Sequence, residues 1–214
     1  MQLHLNQFSG QREKNKIEKL QRIREAAREL FVQKGFDETT TREIAIRAGV
    51  GIGTVFTYAE NKRDLLFLVA NDDLDEVTRK AEASVSEDAA CLENLLLVFR
   101  HHYKFFAAQP NLSRFLLREM TFYDSGRQAN RFQKTRERNI QLIGNIVKQA
   151  AARKTIKVDD PAFAGWVAFC IFQVELRRWL MNKELSISSG MARLERALRL
   201  CMAGWSAKPA ALKS

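Results

Sequence analysis

Three glycines alternate within residues 49–53 (Gly-Val-Gly-Ile-Gly), a spacing that could bring backbone amides around a phosphate group. A dinucleotide-binding loop needs a strand before its first glycine and a third glycine three residues after the second. Here a helical pattern precedes Gly49, and Thr54 occupies the place of the third glycine. A Walker-type loop needs Gly-Lys-Ser/Thr, whereas Gly53 is followed by Thr54 and Val55. The glycines therefore do not fit a phosphate cradle, and another role must explain them.

Side chains that could catalyse a reaction or bind a metal do not form a recognisable set. His101 and His102 are adjacent, so on a helix they point in different directions. The three cysteines, Cys91, Cys170 and Cys201, are an odd number and lie far apart, which fits neither a disulfide framework nor a metal site. No Ser/His/Asp arrangement or carboxylate pair stands out. We therefore expect a protein that is not an enzyme, has no metal or cofactor, and resides in a reducing cytoplasm.

The chain carries a net charge of +10 and has a pI near 9.8, which favours an anionic partner such as nucleic acid or a membrane surface. The excess is spread along the chain, because the part up to Arg63 already holds 12 Lys and Arg against 8 Asp and Glu. The longest apolar run, residues 166–172, is too short to span a bilayer. We therefore expect no membrane partner, and a motif rather than overall charge must identify the function.

Apolar spacings of three and four residues, with only three prolines, predict an all-α chain of about nine helices. The first helix begins near Ile17 and stops at Gly35. The second begins at a capping box formed by Thr40 and Glu43 and ends at Gly49. The remaining helices are expected at residues 52–58, 62–83, 88–108, 110–121, 127–152, 160–183 and 188–205.

Two short helices separated by a glycine are typical of a helix-turn-helix, in which the second helix enters the major groove of DNA. Ala45 is small where the helices would touch, Gly49 lies at the turn, and Val50 and Val55 would hold the pair together. An ordinary helical hairpin has the same spacing, so both interpretations stay open on the pattern alone. The whole segment TTREIAIRAGVGIGTVFTYAENKRDLL, residues 40–66, resembles the DNA-binding segment of the tetracycline-repressor-type (TetR) transcription regulators.

The resemblance covers about residues 17–66, and the rest of the chain is similar to the family only in length and helical character. It implies an N-terminal three-helix helix-turn-helix domain, joined by a long helix to a C-terminal ligand-binding and dimerisation bundle. The implied domains are a flexible basic arm at 1–16, a DNA-binding domain at 17–63 and a sensing and dimerisation domain at 64–214. The implied function is a sequence-specific transcription regulator, a repressor released from its operator by a small molecule. The alternative is a constitutive architectural DNA-binding dimer without an inducer.

The resemblance also implies which residues meet DNA. Thr41 would contact phosphate, and Arg42 would reach a base, unless it is merely an exposed arginine; Tyr58 and Lys62 would clamp phosphates. The groove-facing positions of the recognition helix fall on Ile52, Gly53, Thr54, Phe56, Thr57 and Tyr58. None is Arg, Lys, Asn or Gln, so bidentate base contacts are absent and thymine methyl groups are the expected targets. The basic arm would either enter the minor groove or remain a disordered tail.

Two C-terminal helices carry the implied homodimer interface, which would present two recognition helices to a pseudopalindromic operator. The helix at 160–183 is apolar nearly all round, so both its sides should be covered. The helix at 188–205 has one apolar stripe that would pack on the partner, with an intramolecular core as the alternative. The residues assigned to the interface are Phe172, Trp179, Leu194, Leu198, Met202 and Trp205.

Aromatic residues cluster between residues 99 and 123, in the region that the family uses for inducers. Such a cluster is either packed core or the lining of a ligand cavity, and the resemblance favours a cavity for a small, largely apolar ligand. The residues assigned to this cavity are Phe99, Tyr103, Phe106, Phe115, Arg118, Met120, Phe122, Tyr123, Trp166, Phe169, Cys170 and Gln173. Tyr103, Arg118 and Gln173 are the polar members.

Overall fold

The computed structural model describes residues 2–205, and the side chains of residues 12–204. Within these residues every regular element is a helix, which confirms the all-α prediction. The helices are α1 (Gln2–Gln33), α2 (Thr41–Arg47), α3 (Ile52–Tyr58), α4 (Lys62–Ala83), α5 (Cys91–Ala108), α6 (Pro110–Glu119), α7 (Ala129–Ala152), α8 (Pro161–Leu180) and α9 (Ile187–Trp205), with a 3₁₀ turn at Met120–Phe122.

Helix α1 begins earlier than predicted. The structure continues it back to Gln2, so residues 12–16 form helix and not a flexible arm. Glu13, Lys14 and Lys16 favour helix, and Glu13 and Lys16 form an exposed ion pair one turn apart. A helix about 10–12 Å wide does not fit a minor groove about 6 Å wide, so residues 12–16 cannot act as an extended arm there. Met1 and the side chains of the first eleven residues lie outside the described part.

The chain forms two compact units. Unit 1 contains the described residues up to Asp73 together with Asn111–Gln133, and unit 2 contains Leu74–Pro110 and the described residues from Lys134 onward. The predicted division at residue 63 is a division by function and stays a prediction. Packing groups residues 111–133 with the first three helices, which the sequence pattern did not indicate.

The first three helices of unit 1 pack around a small apolar core. Ile23 and Phe31 on α1, Ile44 on α2 and Val55 on α3 are all buried, as a helix-turn-helix requires. The turn between α2 and α3 depends on Gly49, whose φ of 62° lies in the left-handed region that favours glycine. The core therefore fixes α3 relative to α2 and leaves the opposite face of α3 open.

Unit 2 is a helical bundle in which α5, α8 and α9 contact one another. Four residues assigned above to the dimer interface, Phe172, Trp179, Leu194 and Leu198, are buried inside this unit. The apolar stripe on α9 thus packs within its own chain. This is the intramolecular core that the sequence analysis left open as the alternative to a dimer interface. Of the other two, Met202 is half-buried, and the side chain of Trp205 lies outside the described part.

Candidate functional site

The first turn of α2 is fixed by a reciprocal capping box. The Glu43 amide donates to Thr40 Oγ1 at 3.2 Å, and the Thr40 amide donates to Glu43 Oε2 at 2.9 Å. Hydrogen bonds from Lys34 and from the Thr40 amide lower the pKa of Glu43 to about 2, so its carboxylate stays charged at neutral pH. This cap holds the positions of Thr41 and Arg42, the first two residues of α2.

Arg42 is available for an external partner. It is exposed, and it makes no hydrogen bond or ion pair with any residue whose side chain the structure describes. Arg47, five residues later, differs because its guanidinium is paired with Glu29 at 2.6 Å. Of the two arginines on α2, only Arg42 therefore combines exposure with an uncompensated charge.

The outer face of α3 is apolar and short of hydrogen-bond donors. Ile52 and Phe56 are each 42% exposed. The Thr57 hydroxyl donates back to the Gly53 carbonyl at 3.2 Å, which takes up its one donor. A Cβ atom on Gly53 would meet nothing within 4 Å, so packing inside the protein does not require glycine there. A glycine on an open face instead permits another surface to approach the backbone closely.

Tyr58 and Lys62, the predicted phosphate clamps, are oriented by contacts inside unit 1. The Tyr58 hydroxyl donates to the Lys16 carbonyl at 3.0 Å. The Lys62 Nζ atom donates to the Asp37 carbonyl at 2.8 Å and lies 4.7 Å from the centre of the Phe36 ring. The carbonyl and the ring carry no charge, and the nearby Asp37 carboxylate is already paired with Arg118, so Lys62 can still attract a phosphate.

Ile46 was missed by the sequence analysis. It is 74% exposed and lies one helical turn after Arg42, on the same face of α2. The signal was present in the sequence, because an isoleucine on the outer face of an amphipathic helix is out of place in water. Together with Ile52 and Phe56 on α3, it contributes to the exposed apolar area of unit 1.

The residues assigned to a ligand cavity fall into both units. In unit 1, Arg118 pairs with Asp37 through two hydrogen bonds of 2.7 and 3.1 Å, and Phe115 packs against Phe36 with ring centres 6.0 Å apart. These contacts connect α6 to the loop before α2, so both residues stabilise the DNA-binding unit. The structure therefore gives Arg118 and Phe115 a role that differs from the predicted cavity lining.

The other unit 1 members also differ from the prediction. Phe122 is 81% exposed, and Met120 is half-buried. Tyr123 is buried and stacked on Phe67 with ring centres 3.7 Å apart, and its hydroxyl donates to Asp64. Burial and this hydrogen bond raise the pKa of Tyr123 above its usual range. Spacing along the sequence could not separate these roles, because they depend on partners about sixty residues away.

Several unit 2 members belong to an aromatic core in which the rings of Phe99, Tyr103 and Phe169 lie 4.5, 6.2 and 6.3 Å from that of Phe172. Phe99, Phe106 and Phe169 are buried, and the ring of Tyr103 lies 4.8 Å from that of Trp179. The Tyr103 hydroxyl is buried without a hydrogen-bond partner among the described residues, and burial raises its pKa. A buried hydroxyl of this kind is unfavourable unless another molecule supplies a partner.

The three remaining members lie on α8. Trp166 is exposed, Cys170 is half-buried, and the Gln173 Oε1 atom accepts a hydrogen bond of 2.9 Å from Arg177. A separate groove of about 880 Å³ lies in unit 2 where α5 begins and α7 and α9 end, and none of the residues assigned to the ligand cavity lines it. Its lining includes Cys91 and Arg153.

Two features are missing from the part of the chain that the structure describes. No group of three His, Cys, Asp or Glu side chains comes together to hold a metal ion. No helix there is long and apolar enough to cross a membrane.

Comparison with known proteins identifies the DNA-binding part. Residues 23–69 match the family described as bacterial regulatory proteins, tetR family. The chain carries the DNA-binding segment of the TetR family. It is therefore a transcription regulator with a helix-turn-helix DNA-binding domain, in which α3 is the second helix of the motif. TetR-family regulators are not enzymes, which confirms the prediction for this chain.

Of two relatives, one extends the likeness beyond residue 69. The chain is 25% identical over 173 residues to the fatty acid metabolism regulator protein of Bacillus subtilis (strain 168), covering 80% of this chain and 88% of that protein. A regulator of Staphylococcus aureus (strain bovine RF122 / ET3-1) is 39% identical, but only over 61 residues, 28% of this chain and 33% of that one.

Solved structures share the fold over most of the chain. FadR from Bacillus subtilis in complex with stearoyl-CoA superposes with a TM-score of 0.68 at 23% identity, covering 86% of this chain and 98% of that one. FadR from Thermus thermophilus in complex with lauroyl-CoA superposes with a TM-score of 0.67 at 24% identity, covering 91% and 99%. The fold prediction, with an N-terminal helix-turn-helix and a helical C-terminal part, is confirmed.

Proposed function

We propose that this protein is a homodimeric repressor that binds a pseudopalindromic operator and leaves it when a long-chain acyl-CoA binds unit 2. The observation that carries the DNA-binding part is the open face of α3, beside an Arg42 that no described residue neutralises. In a helix-turn-helix the second helix enters the major groove while the first crosses the backbone, so the exposed cation at the start of α2 and the open face of α3 would both meet DNA.

Arg42 would read a base and the outer face of α3 would read thymine methyl groups. Arginine can bind guanine through two hydrogen bonds, whereas Ile52 and Phe56 offer only apolar contact. Thr41, Tyr58 and Lys62 would contact phosphates, which sets the register of the helix without reading sequence. Gly53 would allow the α3 backbone to lie close to the groove.

An uncovered apolar stripe on α8 supports a dimer. Phe163 is 62% exposed, and Trp166 and Val174 follow on the same face of the helix. Exposed apolar stripes of this kind mark association surfaces. These residues replace Phe172, Trp179, Leu194 and Leu198 as the proposed interface, because the latter four are already buried within one chain. Two-fold symmetry would then pair two α3 helices with two half-sites.

The ligand proposal rests on the relatives and on Tyr103. The Bacillus subtilis relative is named for fatty acid metabolism, and two structures that share the fold contain acyl-CoA thioesters. The aromatic core that contains Tyr103 suits an acyl chain, and the unpartnered Tyr103 hydroxyl suits a carbonyl oxygen of the ligand. Release from DNA requires only that the ligand prefer the conformation whose two α3 helices do not match the half-sites.

Selection from a randomised duplex library at near-physiological salt tests the DNA proposal. A two-fold symmetric consensus in the bound pool is the expected result, and salt-sensitive binding without any consensus would favour the architectural alternative. Titration of the operator complex with lauroyl-CoA and stearoyl-CoA then tests the ligand, with free CoA and a detergent of similar chain length as controls. Release by the thioesters alone is expected. No release by either thioester at concentrations below micelle formation would contradict the acyl-CoA proposal.

A further inference from the structure

The carboxylate of Asp64 is buried and accepts four hydrogen bonds. Its Oδ2 atom accepts from the backbone amides of Glu60 at 2.9 Å and Arg127 at 3.0 Å. Its Oδ1 atom accepts from the Gln128 amide at 2.9 Å and from the Tyr123 hydroxyl. A buried carboxylate is costly without such partners. One side chain at the start of α4 therefore holds the segment that leads into α7.

The segment can approach Asp64 only because residue 126 is glycine. Gly126 has a φ of 117°, and a Cβ atom there would lie 2.8 Å from Asp64 Oδ1. The amides of Arg127 and Gln128 lie directly before Ala129, the first residue of α7, where a helix leaves amides without intrahelical acceptors. Asp64 thus serves α7 as an N-cap residue does, although it belongs to another helix.

Gln128 extends this connection to the recognition helix. Its side-chain Nε2 atom donates to the carbonyl of Tyr58 at 3.1 Å, and Tyr58 is the last residue of α3. The end of a helix leaves carbonyls without intrahelical donors, so Gln128 supplies one that α3 lacks. The Gln128 carbonyl in turn accepts from Asn71 of α4 at 3.2 Å. Gln128 is therefore fixed to α4 by its main chain and to α3 by its side chain.

We propose that Gln128, held by Asp64, positions the C-terminal end of α3, so that a displacement of the start of α7 changes how well α3 fits DNA. This rests on the proposed function insofar as α3 must enter the groove. A single side chain, that of Gln128 directly before α7, thus reaches the C-terminal end of α3. A ligand acts through it only if the ligand prefers the conformation in which the Gln128–Tyr58 bond is broken.

The test compares Gln128→Met with Gln133→Met in the full chain. Methionine keeps the length of glutamine and removes its donor. Gln133 is the matched control, because its Nε2 atom donates to the Tyr123 carbonyl at 2.5 Å in the same unit without touching α3. Three quantities are measured: hydrogen–deuterium exchange of the α3 amides in the free protein, affinity for the selected operator, and the change in that affinity with lauroyl-CoA. Thermal melting shows whether either variant is generally destabilised.

Gln128→Met loses the hydrogen bond to the Tyr58 carbonyl, so hydrogen–deuterium exchange of its α3 amides should be about fivefold faster than in the wild type. In Gln133→Met the exchange of these amides should change little. Operator affinity and its response to lauroyl-CoA should change in Gln128→Met only. The positioning role of Gln128 would be overturned if the α3 amides exchanged equally fast in the wild type and in Gln128→Met. It would also be overturned if both variants accelerated this exchange equally. If wild-type binding ignores lauroyl-CoA while α3 exchange still separates the variants, the ligand proposal fails and the positioning role stands.

Discussion

Gly165 on α8 lies so close to Gly144 on α7 that a Cβ atom on Gly165 would be 2.6 Å from the Gly144 Cα atom. A Cβ atom on Gly144 would meet nothing within 4 Å. The two glycines therefore lie at one helix contact, but only the side-chain position of Gly165 points at the neighbouring helix. Only Gly165 needs to lack a side chain for α8 to pack against α7.

The first prediction is that Gly165→Ala lowers the free energy of unfolding and that Gly144→Ala does not. Overpacking against a backbone atom typically costs about 1–3 kcal/mol. Replacing a glycine inside a helix, where nothing obstructs the methyl group, should instead stabilise by about 0.5–1 kcal/mol. Urea denaturation of the two variants measures both effects. Equal stability of the two variants would show that the helices separate easily at this contact.

The second prediction concerns the capping box of α2. Thr40→Ala removes the acceptor of the Glu43 amide and should lower the free energy of unfolding by about 0.5–2 kcal/mol. Thr41→Ala is the matched control, because Thr41 is the first residue within the helix and caps nothing. Thermal melting should separate the two variants. Operator binding should show the opposite order. Thr41→Ala loses the proposed phosphate contact and should bind the operator more weakly, although its stability is unchanged.

Much of the fold follows from signals that lie close together in the sequence. Gly35 and Gly49 occur where positive φ values end a helix or turn the chain, and Thr40 with Glu43 forms the expected capping box. Such signals need only three or four neighbouring residues, so one sequence suffices to find them. Continuous helix back to Gln2 was missed, because a polar stretch without an apolar stripe carries no periodic signal.

The candidate site was harder to predict where roles depend on distant partners. Tyr123 looks like a cavity residue in the sequence, yet it stacks on Phe67 and bonds to Asp64, about sixty positions away. The apolar stripe through Leu194 and Leu198 predicts that something covers it, but periodicity cannot tell a neighbouring helix of the same chain from a partner subunit. Long-range packing decides both questions.

The third prediction separates base contacts from phosphate contacts. Lys62→Ala should weaken binding to all duplexes by a similar factor and reduce the salt dependence, because a phosphate contact reads no sequence. Arg42→Ala should relax preference at one base position, with a loss of about 1–3 kcal/mol for the preferred base. Binding of single-base operator variants measures both. Arg47→Ala is the control, since its charge is already paired with Glu29. A uniform loss in Arg42→Ala would contradict its base-reading role.

The last prediction concerns pH and His102. This imidazole is buried in unit 2 with its Nδ1 atom 3.0 Å from the Val98 carbonyl. Burial lowers the pKa of His102 below the usual 6.5, and the hydrogen bonds with the Val98 carbonyl and with Asn139 raise it by less. The unfolded chain therefore binds a proton near pH 6.5 that the folded chain does not. The contribution of His102 to the free energy of unfolding is fully present above pH 6.5. It is lost as the pH falls towards the lower pKa that His102 has in the folded chain, at a rate of at most about 1.4 kcal/mol per pH unit.

Thermal melting between pH 8 and pH 5.5 measures this effect, because the carboxylates with lowered pKa values, such as Glu43, titrate only below that range. His102→Gln should flatten the decline in Tm even if it lowers Tm at every pH. The pKa of His101 is also lowered, first by burial and then by Lys104, but this side chain is partly exposed, so His101→Gln should flatten the decline less. His4 is present in every variant and cancels in the comparison. An unchanged pH dependence in His102→Gln would show that His102 titrates alike in the folded and unfolded chain.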